Sequence, residues 1–174
     1  MLTGLAPLVS PQTRLLILGS FPGLASLAAQ QYYGHPQNQF WKILQAIWPS
    51  SPLPAGVRSY QNRSDWLLDK QLGVWDVYAA CERDGSLDSD IRRPVLNDFA
   101  GLLQLCPQLE AIAHNGGESF RQARKIAPVL ATACVPGLPI AVHQLPSTSP
   151  ANASWSFERK LAAWREVVAR HGLV

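Results

Sequence analysis

The residues best suited to chemistry lie between Leu15 and Leu44, where an apolar run ends in a Gly/Pro loop. Leu15 to Leu18 has the pattern of a buried strand, and residues 19–23 read Gly-Ser-Phe-Pro-Gly. Two adjacent tyrosines, a His-Pro pair and Asn38 follow, just before a helix-like Phe-Trp-Lys-Ile-Leu. The segment contains stacking rings and a carboxamide, but no nucleophile–base pair and no metal-ligand cluster. It predicts a site that holds a flat ring and a water molecule.

The elements that must position these residues alternate along the chain. Strand-like segments before breakers cover residues 15–20, 73–80, 109–113 and 140–145, and helical patterns cover 24–31, 39–48, 64–71, 95–105, 118–126 and 154–170. This alternation predicts an α/β fold, a mostly parallel sheet with helices on both faces. Because right-handed crossovers place the loops after the strands at one edge, we expect residues 21–38, 81–93, 114–117 and 146–152 to line one cleft.

Length and composition indicate an ordinary globular protein. The chain has 174 residues, 47% hydrophobic and 16% charged, which predicts a single domain over residues 1–174. No apolar run is long enough to cross a bilayer, and the N-terminus lacks a basic start followed by an apolar stretch, so we expect a cytoplasmic protein. A net charge of +3 permits nucleic-acid binding without requiring it.

The number and spacing of the three cysteines argue against both a disulfide framework and a metal site. Cys81, Cys106 and Cys134 are odd in number and widely spaced. They lack the C-x-x-C spacing of a zinc site, and an iron–sulfur cluster normally needs a fourth ligand. The sequence predicts buried thiols, and neither a metal nor a redox cofactor.

Four motifs occur in a fixed order. Gly-Ser-Phe-Pro-Gly covers residues 19–23 and His-Pro-Gln-Asn-Gln-Phe-Trp-Lys covers 35–42. The third motif has two parts, Trp-Asp-Val at 75–77 and Cys-Glu-Arg-Asp-Gly-Ser-Leu-Asp at 81–88, and the fourth, Pro-Ser-Thr-Ser-Pro-Ala-Asn, covers 146–152. Together they resemble the uracil-DNA glycosylase superfamily, and most closely its hypoxanthine-DNA (deoxyinosine) glycosylase branch. The resemblance spans nearly the whole chain. It implies a three-layer α/β/α sandwich around a central four-stranded, mostly parallel sheet.

The first motif departs from the wider superfamily at its third position. The superfamily usually has a catalytic Asp or Asn there, and this chain has Phe21, whose ring can neither orient water nor stabilise a cation by charge. In the branch that the chain resembles, this role passes to the asparagine of H-P-x-N, which here is Asn38. The resemblance therefore implies that Asn38 holds the attacking water. The alternative is that Asn38 caps the helix that follows it.

The resemblance also implies a set of base-binding residues. Tyr33 matches the ring that stacks on the base, and Phe21 could close the pocket; the alternative is that the tyrosine packs on the core. Trp75 and Asp76 are expected to approach the base edge or support the pocket floor. Asp76 could accept the N1–H of hypoxanthine or cap the following loop. Asn115 could form two hydrogen bonds to the base edge, although an Asn-Gly turn explains the residue equally well.

Contacts with the DNA backbone are expected from loop residues. Small hydroxyls with free amides suit phosphate contacts, which implicates the loop with Ser147, Thr148 and Ser149; the alternative is a loop that only caps the last helix. The superfamily's usual leucine wedge is missing here. The further expected DNA contacts are Ser20, His35 and Arg83, the last together with Arg92 and Arg93. His35 could instead stabilise its loop, and the arginines could form a solvated surface.

The resulting prediction is a monofunctional, monomeric DNA glycosylase without cofactors. It would hydrolyse the N-glycosidic bond of a flipped deaminated base, hypoxanthine before uracil, in duplex DNA. No lysine lies in the first motif, which argues against a Schiff-base lyase step, although Lys42 lies nearby. The alternatives are a uracil or mismatch-specific glycosylase of the same fold and a non-catalytic module that binds damaged DNA. A small-molecule hydrolase would need a nucleophile or metal set that the sequence does not present.

Overall fold

The computed structural model describes residues 1–55, 59–133 and 138–174. The elements, in chain order, are β1 (Leu2–Thr3), β2 (Leu15–Gly19), α1 (Leu24–Ala29), α2 (Phe40–Ile47), α3 (Ser59–Asp69), β3 (Leu72–Asp76), β4 (Tyr78–Glu82), a 3-10 helix (Asp88–Asp90), β5 (Arg92–Leu96), α4 (Phe99–Leu102), β6 (Ala111–Asn115), α5 (Gly117–Phe120), α6 (Ala123–Ala133), β7 (Ala141–Leu145) and α7 (Phe157–Arg170).

Four strands form a central parallel sheet in the order β3-β2-β6-β7. β2 pairs in parallel with β3 and β6, and β6 pairs in parallel with β7. The register aligns Gly19 with Asp76, and Asn115 with Leu145. Because all four strands run in one direction, their carboxyl ends meet at a single edge of the sheet. The predicted four-stranded sheet is thereby confirmed, and it is parallel throughout.

Helices cover both faces of this sheet. Every residue of β2, β3 and β6 is buried, and side chains alternate between the two faces of a strand. Strands buried on both faces read as continuous apolar runs, as β2 does. On the outer strands, α3 packs against β3 and α7 against β7, while α2 packs on α7. The rings of Phe40 and Trp164 meet edge to face between α2 and α7, with centroids 5.9 Å apart. The predicted α/β/α layering is confirmed.

A second sheet, which the sequence pattern does not predict, is antiparallel and has the order β1-β4-β5. The pattern predicts one strand over residues 73–80, whereas β3 ends at Asp76 and β4 begins at Tyr78. Val77 joins the two sheets: its amide donates to the Gly19 carbonyl (2.8 Å), and its carbonyl accepts from the Asn97 amide (3.0 Å). The apolar run continues through the turn, so hydrophobicity alone gives no sign of the break.

Several predicted helix boundaries were also wrong. The helix predicted over residues 64–71 covers Ser59–Asp69, and the one predicted over 118–126 is divided between α5 and α6. The pattern predicts a helix over residues 95–105, but residues 92–96 pair with β4, and only Phe99–Leu102 is helical. Asp98 caps this short helix by accepting a hydrogen bond from the Gly101 amide (3.2 Å). The helix predicted over residues 154–170 begins at Phe157, and Ser156 caps it: the Oγ of Ser156 accepts from the Arg159 amide (3.2 Å).

Further predictions concerned the cysteine thiols, membrane-spanning helices, metal sites and the number of domains. Cys81 and Cys106 are buried, as predicted. Cys134 lies outside the described residues. In the part of the chain that the structure describes, no helix is both long and apolar enough to span a bilayer. The same residues contain no group of three or more His, Cys, Asp or Glu side chains arranged to hold a metal ion. That residues 1–174 form one domain stays a prediction.

Candidate active site

A cleft of about 1100 Å³ opens at the carboxyl edge of the central sheet. The loops after β2, β3, β6 and β7 contribute to its walls, as their shared direction requires. Ten of the residues singled out from the sequence line it: Ser20, Phe21, Tyr33, His35, Asn38, Asp76, Asn115, Ser147, Thr148 and Ser149. The other two, Trp75 and Arg83, lie outside the cleft lining.

Asn38 lies at the cleft and at the start of α2. Its Oδ1 accepts a hydrogen bond from the Phe40 backbone amide (3.0 Å), and the backbone amide of Asn38 donates to the His35 carbonyl (3.0 Å). Gln39 is the N-cap residue of α2, and Asn38, one position earlier, satisfies the first amide of the helix, so the capping alternative is present in this form. Among the described residues, the carboxamide nitrogen makes no hydrogen bond, and an amide oxygen can accept a second one. The cap fixes the side chain and leaves a donor and an acceptor site for a ligand or a water.

Tyr33 is half-buried and held from two sides. Its ring stacks on Phe40 with centroids 4.0 Å apart and planes 21° from parallel. Its hydroxyl accepts a hydrogen bond from Nδ2 of Asn115 (3.1 Å). Burial, with Asp76 nearby, raises the pKa of the Tyr33 phenol, so the ring stays neutral. The backbone φ of 55° is unusual for a bulky residue and indicates that its neighbours determine this conformation.

Asn115 is largely occupied by contacts within the protein. Its Nδ2 donates to the hydroxyls of Tyr33 (3.1 Å) and Thr148 (3.0 Å), and its Oδ1 accepts from the Thr148 amide (3.0 Å). Both amide hydrogens are used in this arrangement, and one acceptor site remains. Two hydrogen bonds from Asn115 to a base edge would require an exchange of these contacts, and this role stays a prediction.

The loop over residues 146–152 is anchored by Thr148, which is fully buried. Besides its bonds to Asn115, Thr148 accepts at its carbonyl from the Gln39 amide (3.0 Å). The hydroxyls of Ser147 and Ser149 accept from the amides of Ser149 and Ala151, 3.1 and 3.2 Å away. Thr148 therefore holds the loop, whereas Ser147 and Ser149 lie at the cleft surface.

Asp76 and Asp88 place two carboxyl groups in the cleft wall. Asp76 ends β3 and is only 5% exposed, and its Oδ2 lacks a hydrogen-bond partner among the described residues. Burial, and after it the charge of Asp88, raise the pKa of Asp76 to about 7 against the opposing charge of Arg83. Asp88 accepts a short hydrogen bond from the Ser20 hydroxyl (2.6 Å), yet burial still raises its pKa above the usual range.

Arg83 supports the first loop from within the protein. Its side chain is buried, with Nη2 donating to the Pro22 carbonyl (2.6 Å) and Nε to the Gly85 carbonyl (2.9 Å). The guanidinium also lies 5.3 Å from the ring centre of Phe21. Phe21 is itself buried, with one edge at the cleft. The structure thus gives Arg83 a loop-supporting position in place of the exposed one that a phosphate contact requires.

Trp75 lies outside the cleft lining, whereas His35 is exposed at the cleft. Trp75 donates through Nε1 to the Leu5 carbonyl (3.1 Å), and its ring packs 5.1 Å from Phe99. Successive side chains of a strand face opposite ways, so Asp76 reaches the cleft and Trp75 does not. His35 is exposed at the cleft, and its Nδ1 accepts from the Gln37 amide (3.1 Å), which stabilises the turn.

Asp88 and Trp155 line the cleft but were not predicted from the sequence as site residues. Asp88 closes the motif at 81–88, but nothing in the local sequence shows that its carboxyl meets Ser20, 68 positions earlier. Trp155 lines the cleft beyond the 146–152 loop, with the Arg159 guanidinium 4.2 Å from its ring centre. The aromatic–arginine spacing of four residues at a helix start is a signal that could have indicated this pair.

Comparison with known proteins gives a consistent result. The model of the uracil DNA glycosylase superfamily matches residues 6–168. A Methanosarcina acetivorans protein named hypoxanthine DNA glycosylase is 37% identical over 169 residues, which cover 97% of this chain and 98% of that protein. A Methanosarcina barkeri protein of the same name is 38% identical over 118 residues, 67% of this chain and 72% of that protein.

One solved structure is also similar. It is the solution NMR structure of a Methanosarcina acetivorans protein provisionally described as a uracil DNA glycosylase. It superimposes with a TM-score of 0.79 at 31% identity, covering 97% of this chain and 96% of the other.

Proposed function

The chain belongs to the uracil DNA glycosylase superfamily and is a DNA glycosylase, a hydrolase of N-glycosyl bonds; within that family, we propose that its substrate is hypoxanthine in duplex DNA. The observation that carries this proposal is the 37% identity, over nearly both full lengths, to a hypoxanthine DNA glycosylase. The product would be an abasic site, and the enzyme would act in DNA repair.

The cleft suits a base rotated out of the duplex. Extrusion costs a few kcal/mol and less for a mispaired base, and hypoxanthine pairs poorly with thymine. Phe40 covers one face of the Tyr33 ring, so the base would stack on the other face. Stacking of this kind contributes about 1–3 kcal/mol per base. Asp76, at the end of β3, would meet the hydrogen-bonding edge of the base, with Phe21 closing the pocket.

Asn38 would hold the attacking water below the sugar. Hydrolysis of the bond passes through a sugar cation, and a carboxamide can orient water towards it without acting as a true base. The hydrogen bond from the Phe40 amide fixes the Asn38 side chain, so orientation costs little at the moment of reaction. The cap and the catalytic role are therefore compatible.

Residues near the cleft mouth would contact the phosphates of the DNA backbone. Ser147 and Ser149 lie at the cleft surface on one side, with His35 exposed nearby. On the antiparallel sheet, β5 carries the exposed Arg92 and Arg93, which suit phosphate contacts better than the buried Arg83. Ser20, whose hydroxyl is committed to Asp88, would contribute mainly by placing that carboxyl group.

The first experiment compares wild type with Asn38→Ala on labelled duplexes carrying one hypoxanthine or one uracil, with alkali to break abasic sites. We expect cleavage at hypoxanthine and a loss of about 100-fold or more in Asn38→Ala, with DNA binding retained. Gln37→Ala is the matched control, because Gln37 is an exposed neighbour outside the cleft lining.

The other outcomes of this experiment separate the alternatives. Cleavage only at uracil would keep the fold and replace the substrate, an outcome favoured by the provisional description of the similar NMR structure. Binding without cleavage of either base would favour the non-catalytic module. Equal activity in Asn38→Ala and Gln37→Ala would remove Asn38 from catalysis. A monomeric state, a cytoplasmic location and the absence of a cofactor are proposed with the function.

A further inference from the structure

We propose that Asp76 recognises hypoxanthine as a neutral carboxylic acid: its carbonyl oxygen accepts the N1–H of the base, and its O–H donates to O6. This inference rests on the proposed function and goes beyond the simple acceptor role that the sequence suggests. It makes Asp76 both a specificity-determining residue and a stabiliser of the departing base.

The geometry around Asp76 favours a neutral acid. Its side chain is 5% exposed and lines the cleft, and Oδ2, which solvent does not reach in this conformation, has no hydrogen-bond partner among the described residues. Binding of the base through both oxygens therefore requires the carboxyl group to turn towards the cleft. Oδ1 lies so close to β2 that a Cβ on Gly19 would approach it to 2.5 Å. A buried carboxylate with an unpartnered oxygen is unstable, whereas a neutral acid waiting for a ligand is tolerated.

The charged and titratable groups around Asp76 also favour its neutral form. Asp88, in the facing 3-10 helix, adds a like charge and is itself held by Ser20. Arg83 has the opposite charge and opposes the shift; its Nε and Nη2 donate to backbone carbonyls, and its buried Nη1 has no partner among the described residues. Its influence on Asp76 is smaller than those of burial and of Asp88. The neighbouring Tyr32 and Tyr33 are neutral, because burial raises the pKa of both phenols. Burial is the largest influence on Asp76 and raises its pKa to about 7, so the neutral form persists to neutral pH.

The neutral acid matches the chemistry of the base. Hypoxanthine presents N1–H beside O6, a donor next to an acceptor, and a carboxylic acid presents the complementary pair. An ionised carboxylate would set a negative charge against O6. When the C1′–N9 bond breaks, its electron pair stays on the base and spreads onto O6, so the O–H···O6 hydrogen bond strengthens in the transition state. Water adds to C1′ through its oxygen and keeps one proton as the new hydroxyl, and its other proton passes to solvent. The released base anion takes up a proton from solvent, while the Asp76 proton stays in place.

The decisive test is Asp76→Asn, because a carboxamide offers the same acceptor and donor at every pH. Single-turnover cleavage of a hypoxanthine duplex is measured from pH 5.5 to 9.5. The wild-type rate should fall above pH 7, by about tenfold per pH unit once Asp76 is ionised. Asp76→Asn should lose the alkaline fall, so that its rate relative to wild type rises by about tenfold per pH unit above pH 7. Asp76→Leu, which offers neither group, should lose about 100-fold at all pH values.

A second variant and a direct titration make the result independent of one substitution. Asp88→Asn removes the like charge, so it should lower the pKa of Asp76 and move the alkaline fall to lower pH. A ¹³C NMR titration of the Asp76 carboxyl in the wild-type protein should show the same midpoint as the rate. A midpoint near 4 would overturn the inference even if the variants failed to fold.

The remaining outcomes separate this inference from the proposed function. Wild-type cleavage at pH 6 that Asp76→Asn abolishes, in a folded variant, would overturn the neutral-acid role alone. It would indicate that Asp76 transfers its proton or acts as a carboxylate. A wild-type rate that is flat from pH 7 to 9 would overturn it as well. No cleavage of hypoxanthine by wild type at any pH would overturn the proposed function, and the inference with it.

Discussion

At the scale of single residues, the cleft depends on Gly19, where two site residues approach the backbone. A Cβ at this position would lie 2.5 Å from Oδ1 of Asp76 and 3.3 Å from the Tyr33 hydroxyl. No side chain fits there unless both site residues shift. The same glycine is the residue at which β2 pairs with the end of β3. Its small size therefore matters for the site as well as for the loop that follows.

Gly19→Ala should displace Asp76 and Tyr33 together. We expect at least a tenfold loss of hypoxanthine cleavage and about 1–3 kcal/mol of lost stability, as overpacking typically costs. Cleavage assays and urea unfolding measure both effects. Gly34→Ala is the control, since a Cβ there makes only ordinary contacts at 3.5 Å or more. Full activity in Gly19→Ala would show that the position of Asp76 is not critical.

At the scale of elements, one buried pair joins the end of β6 to the 146–152 loop. Asn115 and Thr148 share two hydrogen bonds of 3.0 Å, and Thr148 accepts a third from Gln39 just before α2. Three cleft-lining segments, which lie far apart along the chain, are thereby held together. Breaking this pair leaves buried polar atoms without partners, which costs more than the hydrogen bond itself contributes.

A double-mutant cycle on this pair measures how strongly it holds the loop. Thr148→Val and Asn115→Ala should each destabilise the protein by about 1–3 kcal/mol. The double variant should lose less than the sum, with a coupling energy of about 0.5–3 kcal/mol. Chemical unfolding provides the values, and the exposed Ala151→Gly serves as a loop control. Additive effects would mean that the two residues act independently.

At the scale of the whole molecule, hydroxyl-bearing segments line the cleft, and exposed cations follow one of them along the chain. The β7–α7 connection contributes Ser147, Ser149 and Trp155 to the cleft, and residues 86–89, which also line it, lead into β5 with its exposed Arg92 and Arg93. The net charge of only +3 implies that few phosphates are contacted. DNA affinity should therefore depend on salt moderately, because each neutralised phosphate releases condensed counterions.

Sedimentation of the protein with a hypoxanthine duplex at several salt concentrations tests this expectation. We expect a monomer, a one-to-one complex and a log–log salt slope of about −2 to −4. Replacing Arg92 and Arg93 by Gln should reduce the slope by about 1–2. The matched control is Arg170→Gln, since Arg170 ends α7 beside its Glu166 partner. An unchanged slope in the double variant would place the phosphate contacts elsewhere.

Much of the architecture and the membership of the cleft follows from the sequence by itself. Apolar runs that end at glycine, proline or asparagine are local signals, and they located the carboxyl ends of β2, β6 and β7 to within two residues, but not that of β3. Since such strands must end at a common edge, the sequence also predicted that residues as far apart as Phe21 and Ser149 line one cleft. That Asn38 caps α2 was likewise among the alternatives considered.

Only the tertiary structure decided what several of these residues touch. The strand break at Val77 and the second sheet depend on pairing with β1 and β5, and strand pairing leaves no local signature. Asn115 forms hydrogen bonds with Thr148, 33 positions away, and Arg83 donates to the Pro22 carbonyl, 61 positions away. The charge state of Asp76 depends on burial and on Asp88, both set by the fold. Residue types indicate which chemistry is possible, whereas burial and distant partners decide which group remains available to perform it.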